Sequence, residues 1–128
     1  MSNLFIGLGA LSAFISVAAG AFGAHALKQM LDTDMLAVYH TAVDYQFFHS
    51  IGLIVIGTLH RISPRRSHSI AAWTMLTGII IFSGSLYVLS TTGIKWLGMI
   101  TPVGGVCFLA AWLTLASSYL AGGHSREG

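Results

Sequence analysis

The polar residues best placed for chemistry lie in the second of four apolar segments. Tyr45 and His49 are four residues apart and Gln46 precedes His49 by three, while His40 and Asp44 form a separate pair four apart. Residues three or four apart share a face of a helix, so this spacing predicts two distinct polar faces. Imidazole, amide and phenol groups on one face could bind a ligand, and the imidazole could also carry a proton.

Metal binding, haem binding and hydrolysis are the alternative chemistries. His25, His40 and Asp44 are ligand types that zinc or copper accepts, but no spacing motif on one helix joins them. His25 and His49 differ in expected depth by about 13 Å, which disfavours a haem between them. No serine lies in the glycine-flanked elbow of many hydrolases. We therefore expect no catalytic residue, no metal and no cofactor, and we expect Cys107 to pack as a small apolar side chain.

Long stretches without charge define the elements that position these residues. Charged side chains are absent from residues 1–27, 45–60, 67–94 and 96–125, and 55% of the chain is hydrophobic. A mean hydropathy of +0.78 is typical of membrane proteins. One helical crossing of the hydrocarbon core needs about 20 apolar residues. The sequence predicts an all-α, integral membrane four-helix bundle, a single transmembrane domain of residues 1–128 with helices at about 4–26, 37–60, 70–89 and 102–120.

Two helix starts have recognisable signals. Asp34 is of the type that caps a helix N-terminus, and it precedes the second helix. Thr101 and Pro102 are typical of an N-cap followed by proline at the first helical position. Residues 94–100, with Lys95 and Trp96, would then form an interfacial or shallow re-entrant stretch. The alternative is a fourth helix that begins at Lys95 and bends at Pro102.

The charges indicate orientation rather than a nucleic-acid surface, because six Lys and Arg against four Asp and Glu are few and scattered. With four spans, Arg61, Arg65, Arg66 and Arg126 lie on one side, and Lys28 and Lys95 on the other. Positively charged short loops favour the cytoplasm. We expect a multi-pass protein of the inner (plasma) membrane, with both termini cytoplasmic and the lipid bilayer as its first partner.

Counting 1.5 Å of rise per residue places most polar side chains of the spans in the half of the bilayer away from the arginines. His49 is the deepest of them and the most costly to leave against lipid, so its face should point inward. Asp44 should be a hydrated charge near the interface, alone or paired with His40 or Lys28. His60, His68 and His124 should be solvated. The candidate ligand-binding cluster consists of His25, Tyr45, Gln46, His49, Ser83, Ser85 and Tyr87.

Two interpretations of this cluster remain open. Polar side chains between membrane helices commonly bond only a neighbouring helix, which contributes about 0.6 to 2 kcal/mol. Alternatively they line the pocket of a small transporter, channel or ligand-binding protein. Small residues at intervals of four, Ser12, Ser16, Gly20 and Ala24, would let a second helix approach closely, within the chain or between chains. The leading interpretation is a non-enzymatic accessory or scaffold protein, alone as a homo-oligomer or in a larger membrane complex.

Four segments occur in order, at residues 20–27, 45–49, 82–87 and 100–105, and they contain all seven residues of the candidate cluster. Together they resemble the YgdD-like family, small bacterial inner-membrane proteins of uncharacterised function with a similar mitochondrial relative in eukaryotes. The resemblance covers nearly the whole chain. It implies four spans, and it implies no particular reaction, ligand or partner.

Overall fold

Four long helices make up the computed structural model, which describes residues 1–121. They are α1 (Ser2–Leu27), α2 (Thr33–Ile62), α3 (Arg66–Thr92) and α4 (Thr101–Leu120), and a short 3-10 helix (Lys95–Met99) precedes α4. No strand occurs within these described residues. Each helical segment is long and apolar enough to cross a membrane. The all-α, four-helix prediction is therefore confirmed. Arg126 and His124 lie outside the described residues.

The second helix begins earlier than its apolar pattern suggested, at Thr33. Its N-cap is Asp32, whose carboxylate accepts a hydrogen bond from the Met35 amide at 2.8 Å. The prediction that Asp34 caps this helix was wrong. Asp32 has the extended backbone that a cap requires, whereas Asp34 already lies in the first turn of the helix. There its negative charge interacts favourably with the positive end of the helix dipole.

The fourth helix begins at Thr101 with Pro102 in its first turn, as expected. Thr101 is not the N-cap, however, because that position belongs to Ile100 and the Thr101 hydroxyl points back to the Leu97 carbonyl at 3.3 Å. Gly93, at φ 73°, ends α3, and the chain then forms the exposed 3-10 helix that carries Trp96. Neither of the two predicted alternatives fully describes the chain before α4, since residues 95–99 are helical but form a separate, tighter 3-10 helix.

Helices α2 and α3 form the centre of the bundle, with α1 packed on α2 and α4 packed on α3. Accordingly, in an apolar stretch of 18 residues from each span, 44% of the residues of α2 and 39% of those of α3 are buried. The corresponding shares are 22% for α1 and 17% for the segment containing α4. The buried core contains Phe5, Leu53, Ile56, Ala71, Ala72, Met75 and Ala111. The two outer helices therefore supply most of the surface that meets lipid.

The two ends of the bundle differ in charge. At one end, here the arginine end, Arg61, Arg65 and Arg66 lie near the start of α1 and the last turn of α4, where Arg65 donates to the Ser118 carbonyl at 2.8 Å. The opposite, lysine end carries Lys28 and Lys95 together with Asp32 and Asp34. Within residues 1–121 the arginine end has no acidic side chain.

Glycines bring the helices into contact. A Cβ added to Gly9 of α1 would lie 2.9 Å from the Ser50 carbonyl oxygen of α2, and one added to Gly104 of α4 would collide with the backbone nitrogen of Phe82. Ser12 and Ser16, from the predicted ladder of small residues, are buried on the same side of α1. That ladder therefore packs against α2 of the same chain, where close backbone approach replaces a hydrophobic driving force.

Candidate functional site

Gln46 is the centre of a hydrogen-bonded network that joins three helices. Its Nε2 donates to the Ser12 carbonyl at 3.1 Å and lies 3.3 Å from the Ser12 hydroxyl on α1. Its Oε1 accepts from the Tyr87 hydroxyl of α3 at 2.6 Å. Ser50, one turn further along α2, lies 2.7 Å from the Ser12 hydroxyl. We call Ser12, Gln46, Ser50 and Tyr87 the Gln46 network.

The Gln46 network leaves little polar capacity for a ligand. Gln46 is 6% exposed and Ser50 is fully buried. An amide offers two donors and one acceptor oxygen, and here both of its polar atoms already have partners on other helices. The network therefore serves as an internal cross-link between α1, α2 and α3.

Two more cross-links lie beside π-helical turns on either side of α2. The Tyr39 hydroxyl donates to the Ala19 carbonyl at 2.8 Å, at the start of the π-helical turn Ala19–Gly23 in α1. Ser83, in the π-helical turn Ile79–Ser83 of α3, donates to the Ala42 carbonyl at 2.8 Å. Each wide turn changes the rotation of its helix and aims a polar group at α2.

His49 belongs to a different arrangement, although it lies only three residues from Gln46. Its Nδ1 is 2.7 Å from the Tyr45 carbonyl, and its Nε2 accepts from the Trp112 indole of α4 at 3.1 Å. A carbonyl only accepts and an indole N–H only donates. These partners assign the neutral tautomer with hydrogen on Nδ1, and both ring nitrogens of His49 are occupied.

Aromatic rings surround His49. Its ring stacks on Phe108 with centroids 3.6 Å apart and planes inclined by 15°, and Tyr45 and Phe82 extend the stack. Together with Trp112 these residues form the His49 aromatic cluster, which borders a groove of about 400 Å³ between α2, α3 and α4. The groove is open on one side, since Tyr45 and Trp112 are both more than 40% exposed.

The structure divides the predicted cluster into separate groups. Gln46 and Tyr87 lie in the Gln46 network, and Tyr45 and His49 lie in the aromatic cluster. Ser83 donates to the backbone of α2 and lines a groove of about 320 Å³ together with Gln46 and Tyr87. Ser85 lies 2.6 Å from the Thr101 hydroxyl of α4. His25 is exposed near the end of α1 and takes no part in these hydrogen bonds. No single pocket unites the seven residues within the described chain.

Four residues that form hydrogen bonds between the helices were not predicted from the sequence. Ser12 was recognised only as a small residue, and Ser50, four residues from Gln46, carried a signal that could have placed it on the same face. Tyr39 and Trp112 gave no such signal, because each reaches its partner on another helix. Contacts between helices depend on how each helix is rotated in the bundle.

Comparison with known proteins places the chain in a family. Residues 19–105 match a family model described as "Protein of unknown function (DUF423)". The chain belongs to the DUF423 family. It is 46% identical over 114 residues to the UPF0382 membrane protein YwdK of Bacillus subtilis, covering 88% of this chain and 93% of that protein. It is 48% identical over 118 residues to a UPF0382 membrane protein of Staphylococcus haemolyticus, covering 91% and 94%.

These relatives are named membrane proteins, and this DUF423 chain has four candidate spans, so it is a multi-pass membrane protein. The expectation of a small bacterial membrane family without a characterised role is confirmed at that level. The narrower YgdD-like label stays a prediction. No solved structure matches the chain.

One expectation about the arginine end of this DUF423 protein was wrong. His68 is fully buried rather than solvated, and its Nε2 lies 3.0 Å from the Tyr119 hydroxyl. The Arg65 guanidinium lies over the Tyr119 ring at 4.8 Å, and Ser67 bonds Ser118 at 2.7 Å. These contacts fold the start of α3 against the end of α4 and cover His68. His60 is half-buried.

The histidines and acids of the described residues do not assemble into a metal centre: no group of three or more His, Cys, Asp or Glu side chains could hold an ion there. His25, His40 and Asp44, the ligand types considered for zinc or copper, are all exposed. Cys107 is half-buried on α4.

Proposed function

We propose that this DUF423 protein is a non-catalytic packing component of the bacterial inner membrane, which associates through α4 with a second copy or with a partner membrane helix. The supporting observation is the state of α4. Only 17% of the residues in the apolar stretch of this span are buried. By contrast, the polar side chains inside the bundle, such as Gln46 and His49, form hydrogen bonds between its own helices.

The exposed face of α4 has the form of a helix-packing surface. Val106, Leu109 and Leu113 are each more than 60% exposed and follow one another at intervals of three and four residues. The groove beside His49 borders this face on one side. A second groove of about 500 Å³, between Leu59 and Tyr119, borders it toward the arginine end. Ridges of a neighbouring helix pack into grooves of this kind.

Single-cysteine cross-linking in membranes tests the association. In a Cys107→Ala background, Leu109→Cys and Leu113→Cys should give a cross-linked product on mild oxidation, either a dimer or a stoichiometric partner identified by mass spectrometry. The matched control is Leu53→Cys, which is fully buried and should not cross-link. Absence of any product at both α4 positions, together with a strictly monomeric protein in native mass spectrometry, would contradict the proposal.

The arginine end faces the cytoplasm in this proposal, because cationic short loops are retained there. In the Cys107→Ala background, Met30→Cys at the lysine end should react with an impermeant maleimide added to spheroplasts. Pro64→Cys at the arginine end should react only after permeabilisation. Both native side chains are exposed, so accessibility to the reagent is matched. The reverse labelling pattern would overturn the orientation.

A second candidate function, ligand binding or transport, has one observation in its favour. The groove of about 400 Å³ has a titratable side chain, His49, in its wall. If the groove serves a proton-coupled function, proteoliposomes should show a pH-dependent proton flux that His49→Ala removes. Flux and pH dependence that are unchanged in His49→Ala, or absent in the wild type, would reject this candidate.

A further inference from the structure

A third groove lies on the other side of the bundle, between α1 and α2. It has a volume of about 310 Å³, and its walls are formed mainly by apolar side chains, including Val17, Phe47 and Phe48. Gly20 lies at its base, where an added Cβ would be 3.0 Å from Val43. The groove contains one ionisable side chain, the carboxylate of Asp44. Its form suits a linear apolar group with a charged terminus.

The depth of the groove in the bilayer can be estimated from each of its two helices. Asp44 is 18 residues from Ile62, the end of α2, and Gly20 is 18 residues from Ser2, the start of α1. At 1.5 Å per residue, each is about 27 Å from the arginine end. Since the hydrocarbon core is about 30 Å thick, the groove covers about the upper half of the acyl region of the leaflet at the lysine end, and it reaches the headgroup boundary at Asp44.

No charged side chain among the described residues pairs with Asp44. Within residues 1–121 it forms no ion pair and no side-chain hydrogen bond, and its side chain is exposed. His40, one turn nearer the lysine end, is also exposed, and Lys28 lies in the connection beyond α1. A carboxylate at this boundary is stabilised by a cation that pairs with it. No side chain among residues 1–121 pairs with Asp44, so a lipid headgroup at this depth can supply the cation.

We propose that this groove binds a phospholipid whose headgroup ends in a primary ammonium, as in phosphatidylethanolamine. One acyl chain lies along Val17 and Phe47, and the ammonium donates a charge-assisted hydrogen bond to Asp44. A second copy of the chain fits less well, because a helix with its side chains is about 10–12 Å across whereas an acyl chain is a single file of methylenes. A lipid with a net negative headgroup would be repelled by the carboxylate.

Native mass spectrometry of the full chain tests the proposal. The protein is released from nanodiscs that contain equal amounts of phosphatidylethanolamine, phosphatidylglycerol and phosphatidylcholine with matched acyl chains. The ethanolamine lipid should be retained about threefold or more above the glycerol lipid, a ratio typical of an exposed ion pair. Phosphatidylcholine carries a positive charge without N–H donors, so it should fall between the two.

Two variants test whether the preference for the ethanolamine lipid arises from Asp44 and from the groove. Asp44→Asn preserves shape and should return the retained lipids to their bulk ratio, whereas the matched control Asp34→Asn, at the exposed start of α2, should leave the preference intact. Gly20→Leu should fill the groove and lower retention of all three lipids. Equal retention in the wild type, or an ethanolamine preference that survives Asp44→Asn, would overturn the proposal. So would disulfide-linked dimers through Val17→Cys, since they would place a second chain over the groove.

Discussion

Gln46 and His49 lie less than one turn apart on α2, and both are more than nine-tenths buried, yet their surroundings are different. Gln46 donates to the Ser12 carbonyl of α1 and accepts from the Tyr87 hydroxyl of α3, and the backbones of α1 and α2 approach closely at Gly9. His49 contacts large aromatic rings of α4 and borders an open groove. One side of α2 is a tight seam, and the other is an adaptable contact between bulky side chains.

The difference has a physical origin in how each seam is filled. At Gly9 and Gly57 in the α1–α2 seam, backbone lies close to backbone, so an added Cβ meets backbone atoms of the other helix that cannot move independently. At Gly52 on the other side of α2, the neighbouring atoms are the ends of the Met75 and Trp112 side chains, which can move without a shift of the backbone. We therefore expect equal chemical changes to have unequal effects on the two sides.

The largest expected effect is from Gly9→Ala in the tight seam. The new Cβ would lie 2.7 Å from Ile54 Cγ1 and 2.9 Å from the Ser50 carbonyl oxygen. Such overpacking against backbone should lower the free energy of unfolding by about 3 kcal/mol, as measured by steric trapping in bicelles. Gly7→Ala is the matched control, because a Cβ there meets nothing within 4 Å. If both variants were equally stable, the seam would be less tight than described.

Gln46→Leu should have the next largest effect. It removes the hydrogen bonds to Ser12 and Tyr87 and leaves the half-buried Tyr87 hydroxyl without its partner. We expect a loss of about 2 kcal/mol in the same unfolding measurement. Thr77→Val, which removes only an exposed bond to the Trp73 carbonyl within α3, should change stability much less. A Gln46→Leu protein as stable as the wild type would show that the network adds nothing to stability.

His49→Phe should cost less, about 1 kcal/mol. Phenylalanine keeps a ring to stack on Phe108 and loses only the hydrogen bonds to Tyr45 and Trp112. The tryptophan Raman band that reports indole hydrogen bonding should shift as the Trp112 N–H loses its acceptor. Phe48→Leu, on an exposed part of α2, is the control for that band. An unchanged band would mean that the indole does not bond His49.

The smallest effect is expected for Gly52→Ala, the counterpart of Gly9→Ala on the adaptable side. Its Cβ would approach Met75 Sδ at 2.9 Å and Trp112 Cη2 at 3.0 Å, both at the ends of side chains. Those ends can shift, and alanine favours the helix by up to about 1 kcal/mol, so the net change should be below about 1 kcal/mol. A loss as large as that of Gly9→Ala would remove the proposed difference between the two sides.

Helix ends show how far local reasoning reaches. Pro102 correctly indicated where α4 begins, because proline is suited to the first turn of a helix by its own geometry. The cap of α2 was assigned to Asp34 although Asp32 occupies it, since two aspartates only two residues apart give nearly the same signal. His68 was expected at the interface because three arginines lie nearby in sequence, and the contact of Tyr119 and Arg65 above it was not visible there.

The sequence by itself determined the four spans, the difference in charge between the two ends and the polar face of α2. Those properties depend on hydropathy, charge and helical period along one segment. Only the tertiary structure decided that Gln46 meets α1 and α3 whereas His49 meets α4, and that Asp44 lies in a groove between α1 and α2. In a membrane, an apolar side chain can face either lipid or the core, so hydropathy alone does not orient a helix. The rotation of each helix is therefore set by glycine contacts and hydrogen bonds between distant segments, which periodicity within one segment does not encode.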